Sequence, residues 1–260
     1  MFQKQKKEAV VHYLIKDTEF EKILNFLKMT KRIHKNSNDR LRKFVEGVHY
    51  ALRSGCQWRL LPFYYGDWRA IHKRFKSWGK RGIWKKLFEH LQKDPDLEWA
   101  MIDSTIVRAH ACSAGYGKNT QAVEGLGRSK GGFTTKIHAL VDALGNPLDF
   151  ILSPGQRNDI TQAEALTASV SNTSVIADKG YDSSSFRDFL ENKLCKPEIP
   201  SRKNRKQPYD YDEYLYKERH AIECFFGKIK HFRRIFSRYE KSAQSYLSLL
   251  YLVGALIWIR

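Results

Sequence analysis

Ala100-Met101-Ile102-Asp103-Ser104-Thr105 and Val175-Ile176-Ala177-Asp178-Lys179-Gly180 each bring an aspartate out of a short apolar run. Apolar runs of this length, bounded by polar residues, read as buried strands. If the two strands are neighbours, carboxylates at their carboxyl ends face one crevice, where open α/β sheets place their ligands. The surrounding sequence completes the pattern. Trp99 to Ile102 predicts a strand, Phe133 to Val141 alternates with β-branched residues, Asp142 to Pro147 supplies a turn, and Leu148 to Leu152 returns as the other arm of a hairpin. Asp159 to Val170 reads as a helix, Ser174 to Ala177 as a fourth strand and Asp182 to Leu194 as a second helix. A hairpin followed by strands interleaved with helices implies an α/β domain with a mixed sheet.

A third carboxylate stands on a predicted helix further along. Tyr216, Arg219, Glu223 and Lys230 are spaced so that, at 3.6 residues per turn, all four fall within about 60° around the axis. Ile222, Phe226 and Ile229 form a neighbouring apolar stripe that can bury the helix beside the sheet. Asp103, Asp178 and Glu223 are therefore the candidate catalytic and metal-holding residues. Carboxylates suit hard divalent cations, Mg²⁺ or Mn²⁺. Two such ions about 4 Å apart can activate an attacking hydroxyl and stabilise the departing oxygen of a phosphodiester. Asp103 is the expected bridging ligand, with Asp178 and Glu223 each completing one position. Arg219 and Lys230 suit phosphate contacts, or a salt bridge from Arg219 to Glu223 or Glu218; Tyr216 either packs or lies along the sugar-phosphate backbone. Asp142, Asp149 and Asp159 compete for a role, although turn and helix-cap positions fit Asp142 and Asp159 better. His110, His138 and His220 lack zinc spacing. His138 shares its strand with Lys136 and is placed either to reach phosphate or to serve as a structural hydrogen-bonding residue. The glycine-rich stretch from Ala111 to Gly132 contains no phosphate-loop or dinucleotide fingerprint and reads as a loop.

Charge points to the partner. The 260 residues carry 46 Lys and Arg against 28 Asp and Glu, a formal charge of +18, which implies a polyanion. Residues 1–95 read as a small helical, basic, DNA-binding domain, and 96–260 as the catalytic domain. Phe20, Ile23, Leu24 and Leu27 recur at helical spacing, as do Leu41, Phe44, Val45, Val48 and Leu52, the latter opened by Ser37-Asn38-Asp39 and closed near Gly55. Between Arg69 and Lys86 the basic residues Arg69, Lys73, Arg74, Lys76, Lys80, Arg81, Lys85 and Lys86 meet no acidic residue; a second group runs from Lys28 through Lys35 to Lys43. Faces of one sign suit a DNA backbone. Trp58, Trp68, Trp78 and Trp84 sit among leucines and phenylalanines as expected core residues. The apolar stretch from Ala243 to Ile259 is interrupted by Gln244, Ser245, Ser248 and Gly254, which favours a packed helix over a membrane span. No apolar segment of a secretory signal follows the basic start, so an intracellular protein with no membrane partner is expected. Cys56, Cys112, Cys195 and Cys224 are scattered and read as small buried hydrophobes.

The motif Tyr216-x₂-Arg219-x₃-Glu223-x₆-Lys230 resembles the signature of bacterial insertion-sequence transposases of the IS4/IS5 superfamily, and is closest to the IS5 branch. Ile102-Asp103-Ser104-Thr105 with Arg108-Ala109-His110 is similar to the segment holding that family's first aspartate, and Ala177-Asp178-Lys179-Gly180-Tyr181-Asp182 to the second. The similarity extends through Gly127 to Gly132, Thr135 to His138, Gly155 to Asp159 and Phe232-Arg233-Arg234. In the helical region it covers Leu52 to Pro62 and Arg74 to Trp78. The resemblance implies an RNase H-like core with a DDE triad, terminal inverted repeats and target DNA as partners, strand transfer by a 3′-hydroxyl, and homo-oligomers assembled on DNA in the bacterial cytoplasm at the nucleoid. Expected DNA contacts are Arg69, Lys73, Arg74, Lys76, Arg108, Lys136, His138, Tyr216, Arg219, Lys230, Arg233 and Arg234. An RNase H-like nuclease without strand transfer and a non-catalytic DNA-binding derivative remain alternatives.

Overall fold

A computed structural model of the chain describes residues 13–33, 37–114, 122–129 and 132–260. The basic start, Lys35 and the middle of the glycine-rich stretch, including Lys130 and Gly131, lie outside the described residues. Four helices open the described chain: α1 (Asp17–Met29), α2 (Asn38–Ser54), α3 (Trp68–Lys80) and α4 (Ile83–Leu91). Their ends follow from local chemistry. The Ser37 hydroxyl accepts the Arg40 N–H and the Asp67 carboxylate accepts the Arg69 N–H, closing helix starts that lack internal partners. Gly55 ends α2 at φ 73°, a conformation that costs a residue with a Cβ. Trp78 and Trp84 pack edge to face and tilted around Phe44 and Phe75, and the Trp84 indole N–H donates to the Phe75 carbonyl. Trp58 is buried as well, and Trp68 half-buried, in line with their reading as core.

The sheet is built on β1 (Trp99–Ala109). Its antiparallel neighbour is β3 (Gly132–Val141), which pairs in turn with β2 (Gly127–Ser129) and β4 (Pro147–Pro154). The β3–β4 turn forms because the buried Asp142 carboxylate accepts the N–H groups of Leu144 and Asn146 while Gly145 takes φ 77°. On the other side of β1, β5 (Ser174–Ile176) and then β6 (Lys196–Glu198) run parallel to it, reached through α5 (Ala163–Leu166) and α6 (Ser184–Asn192). This is the expected mixed α/β sheet, and the hairpin and the fourth strand are where the sequence placed them. Two expectations change. β1 continues well past Ile102, so Asp103 lies in mid-strand instead of at its end. The helix expected over 159–170 shrinks to a 3₁₀ turn and α5, with the Thr167 hydroxyl bonded back to the Ala163 carbonyl at its end.

Alternation along β1 assigns the two faces. Met101, Ile137, Ala139, Val141 and Ile176 join a core shared with α1 to α4, α8 (His220–Lys230) and α10 (Ala243–Trp258). Ala100, Ile102, Leu140, Val175 and Ala177 join a second core with α5 and α6. The change of element type near residue 95 therefore does not part the first core, which runs through both halves. α10 is the packed helix anticipated for the apolar C-terminal stretch, lying against α4 and β4. Gly254 allows the approach, since a Cβ there would stand 2.4 Å from the Phe88 ring. Among the described residues no helix is long and apolar enough to cross a membrane. All four cysteines are free; Cys195 is buried and Cys56 half-buried, whereas Cys112 and Cys224 are exposed, against expectation.

Candidate active site

Register brings the two aspartates together. Met101 pairs in parallel fashion with Ile176, the last residue of β5, and Asp103 and Asp178 each follow that pair by two residues, near enough for the charge of Asp178 to act on Asp103. Asp178 follows the end of β5, and its Oδ1 accepts the Gly180 N–H at 2.7 Å. The Asp103 Oδ1 accepts the Ser104 N–H at 2.7 Å. Burial pushes the Asp103 carboxyl above the usual carboxylate range; the negative charge of Asp178 adds to this, and the Ser104 N–H and Arg219 oppose it.

Glu223 reaches the same face from α8. The single helix expected over 216–230 is divided into α7 (Glu213–Lys217) and α8, because Glu218, Arg219 and Ala221 bond to carbonyls three residues back. The tightened turn carries Arg219. Its guanidinium donates to Asp103 Oδ2 at 2.7 Å and also to Glu223 Oε1, joining the strand carboxylate to the helix carboxylate. Burial lowers the Arg219 pKa, but the charges of Asp103 and Glu223 more than offset this. The salt bridge to Glu223, one of the two roles considered for Arg219, is thus present with Asp103 added. Tyr216 packs partly against the first core, edge-on to Tyr211. Lys230 is half-buried, about two turns beyond Glu223.

Lys136 and His138 belong to the other face, and the expectation that they touch DNA fails there. Their β1 partners are Ile106 and Ser104, one residue out of phase with Asp103. The buried Lys136 ammonium pairs with Asp159 at 2.6 Å and donates to the Arg157 carbonyl. Asp159 accepts the Ser104 hydroxyl at 2.8 Å, so it is an ion-pair partner instead of a helix cap. His138 is fully buried, with Nε2 at 2.7 Å from the Ser153 hydroxyl, and burial lowers its pKa to about 4. This cluster was missed in the sequence, although the alternation of Lys136 and His138 already placed them on one face.

The remaining basic residues divide by exposure. Lys73, Lys76, Arg69, Arg108 and Arg233 are exposed, whereas Arg74 is half-buried over Phe44 and Trp78. Arg234, expected at DNA, is buried: it donates to the Cys56 carbonyl and Glu240 and covers Trp58. It forms part of the floor of a cavity of about 720 Å³ between α3 and the chain after β7 (Ser237–Arg238), a feature with no motif in the sequence.

The donor chemistry fits a hard divalent cation, since the candidate donors are carboxylates, and the Arg219 guanidinium already stands as a cation between Asp103 and Glu223. Among the described residues no three His, Cys, Asp or Glu side chains are close enough together to hold a metal ion as they stand. Arg219 bonds one oxygen each of Asp103 and Glu223 in this arrangement.

Comparison with known proteins places the chain among transposases. Residues 96–258 match the "Transposase DDE domain" family, and residues 15–88 match the family described as "Putative transposase of IS4/5 family". A relative from Brucella ovis, "Putative transposase for insertion sequence element IS6501", is 41% identical over 129 residues, 49% of this chain and 99% of that one. One from Burkholderia cepacia, "Putative transposase for insertion sequence element IS402", is 30% identical over 135 residues, 47% of this chain and 62% of its own length. The cryo-EM structure of a piggyBac transposase synaptic complex with hairpin DNA aligns with 73% of this chain at 15% identity and a TM-score of 0.40. This chain spans 47% of that protein's length, and so distant a likeness carries no argument.

Proposed function

The chain belongs to the DDE transposase domain family, and from that premise we propose that it cuts DNA at the terminal inverted repeats of an insertion element and joins the freed 3′ ends to target DNA. Asp103, Asp178 and Glu223 are the catalytic carboxylates in this reading. They would hold divalent ions, Mg²⁺ or Mn²⁺, which when bound polarise the scissile phosphate and favour ionisation of the attacking hydroxyl. The observation that supports the reading is the grouping of these residues: Asp103 on β1, Asp178 just past the end of the neighbouring β5, and Glu223 tied to Asp103 through Arg219.

The chain's own groups have distinct tasks. Backbone N–H groups of Ser104 and Gly180 fix one oxygen of each aspartate and leave the carboxylates turned by the strand geometry. Arg219 and Lys230 position backbone phosphates beside them, Arg219 through its planar fork and Lys230 as a point charge. The exposed basic face of α3, with Arg69, Lys73 and Lys76, draws the duplex in and holds it without reading bases.

Purified protein incubated with Mg²⁺, the inverted-repeat DNA flanking its gene and a target plasmid should give joined products. Cuts without joining would replace this reading with a nuclease. DNA bound but left intact with Mg²⁺ and with Mn²⁺ would replace it with a non-catalytic binding protein.

A further inference from the structure

Arg219 has more to do than touch phosphate. Its guanidinium spans carboxylates from β1 and α8, and together with the Ser104 N–H it engages both Asp103 oxygens. The arginine is the inner partner and the glutamate the outer one: the Arg219 side chain is 21% exposed and that of Glu223 57%. Arg219 also precedes α8 as its N-cap residue, in the tightened turn, while Ile222, Phe225 and Ile229 anchor the helix in the core.

A divalent cation needs the same oxygens. Guanidinium and metal therefore compete for Asp103 Oδ2 and Glu223 Oε1, and each excludes the other by charge as well as by space. A DNA phosphate offers the planar guanidinium of Arg219 two non-bridging oxygens that its fork can grip together. We infer that Arg219 is a built-in cation that occupies the metal ligands until a DNA phosphate draws it away, so that metal and DNA load the site cooperatively. This rests on the proposed role of Asp103 and Glu223 as metal ligands. The consequence is a chain that binds metal weakly, and so is inert, away from DNA. Linkage makes the effect reciprocal: metal must tighten DNA binding by the factor by which DNA tightens metal binding.

Mn²⁺ binding to the full chain, followed by the loss of the free-ion electron paramagnetic resonance signal, tests this without any cleavage assay. Without DNA, Arg219→Gln should bind Mn²⁺ at least about tenfold more tightly than the unaltered chain, within the usual range of coupling between sites. Arg219→Lys, which keeps the charge but cannot span both carboxylates, should fall between them. A short duplex should tighten binding by the unaltered chain more than by Arg219→Gln, after subtraction of Mn²⁺ held by the duplex alone. Equal or weaker DNA-free binding by a folded Arg219→Gln, with Arg219→Lys no different, would overturn the inference. Asp103→Asn separates the two levels of argument. If it leaves DNA-dependent Mn²⁺ binding unchanged, the metal-ligand reading itself fails; if it abolishes that binding while Arg219→Gln changes nothing, only the competition fails.

Discussion

The two faces of the central sheet carry similar chemistry to opposite ends. Asp103 and Ser104 are neighbours on β1, yet alternation sends Asp103 to the face shared with α8 and Ser104 to the face shared with Lys136, His138 and Asp159. On the first face the cation is an arginine on a tight turn, with one partner largely in solvent. On the second, Lys136 and His138 are buried, and the lysine is held by a carboxylate and a carbonyl. A charged site that must admit a substrate is built from groups that can exchange partners. One that must hold strands in register is built from groups that cannot.

Substitutions should separate these faces. Asp103→Asn or Glu223→Gln should lower strand joining by roughly a thousandfold, the scale of losing one electrostatic partner of a transition state. For Glu223→Gln, which removes only the exposed partner of Arg219, stability should shift by no more than about 1 kcal/mol. Denaturant melts alongside joining assays check both, and a large loss of stability would mean that the front carboxylates are structural. Asp159→Leu should do the reverse. It strands the Lys136 ammonium in the interior and should cost about 3 kcal/mol, the low end for a broken buried pair because Asp159 is partly exposed. Adding Lys136→Met should restore most of that stability. If the double variant is no better than the single, the pair is not what holds the back face.

Acid should also weaken the back face. His138 has a folded pKa of about 4 against an ordinary value of 6.5, so the unfolded chain binds the extra proton and stability rises with pH. The loss begins as pH falls below about 6.5 and should reach about 2 kcal/mol by pH 5. His49, buried in the helical region with a pKa also lowered to about 4, contributes in the same direction. His138→Gln should flatten the pH dependence of the melting temperature, and an unchanged profile would remove His138 from the explanation. The smallest effect belongs to neither face: replacing Lys73 and Lys76 with Gln should make the salt dependence of DNA affinity shallower by about 0.9 per lost phosphate contact. No change in that slope would move the duplex off α3.

Much of this was legible in the sequence where one residue sufficed to define a local pattern. The apolar runs around Asp103 and Asp178, the turn at Asp142, the capping by Ser37 and the packed C-terminal helix are local features, and the structure has them. The resemblance to insertion-sequence transposases is borne out by family matches to both parts of the chain. What escaped depends on relations between segments. Whether Lys136 and His138 share a face with Asp103 is decided by the pairing of Asp103 with Ala139, and a one-residue slip would reverse it. Arg234 lies in a basic doublet that reads as surface, but Glu240 and the Cys56 carbonyl, the latter from a remote segment, draw it inside. The bridge from Arg219 to Asp103 joins groups 116 residues apart, which helical spacing alone cannot reveal.

Soaking the protein–DNA complex with Mn²⁺ and collecting anomalous diffraction at the manganese edge would locate the ions directly. Density bounded by the carboxylates of Asp103, Asp178 and Glu223, with Arg219 turned to a phosphate, is the expected result. Manganese bound in that complex without contact to Asp103, or with Asp178 or Glu223 out of coordinating reach, would contradict it.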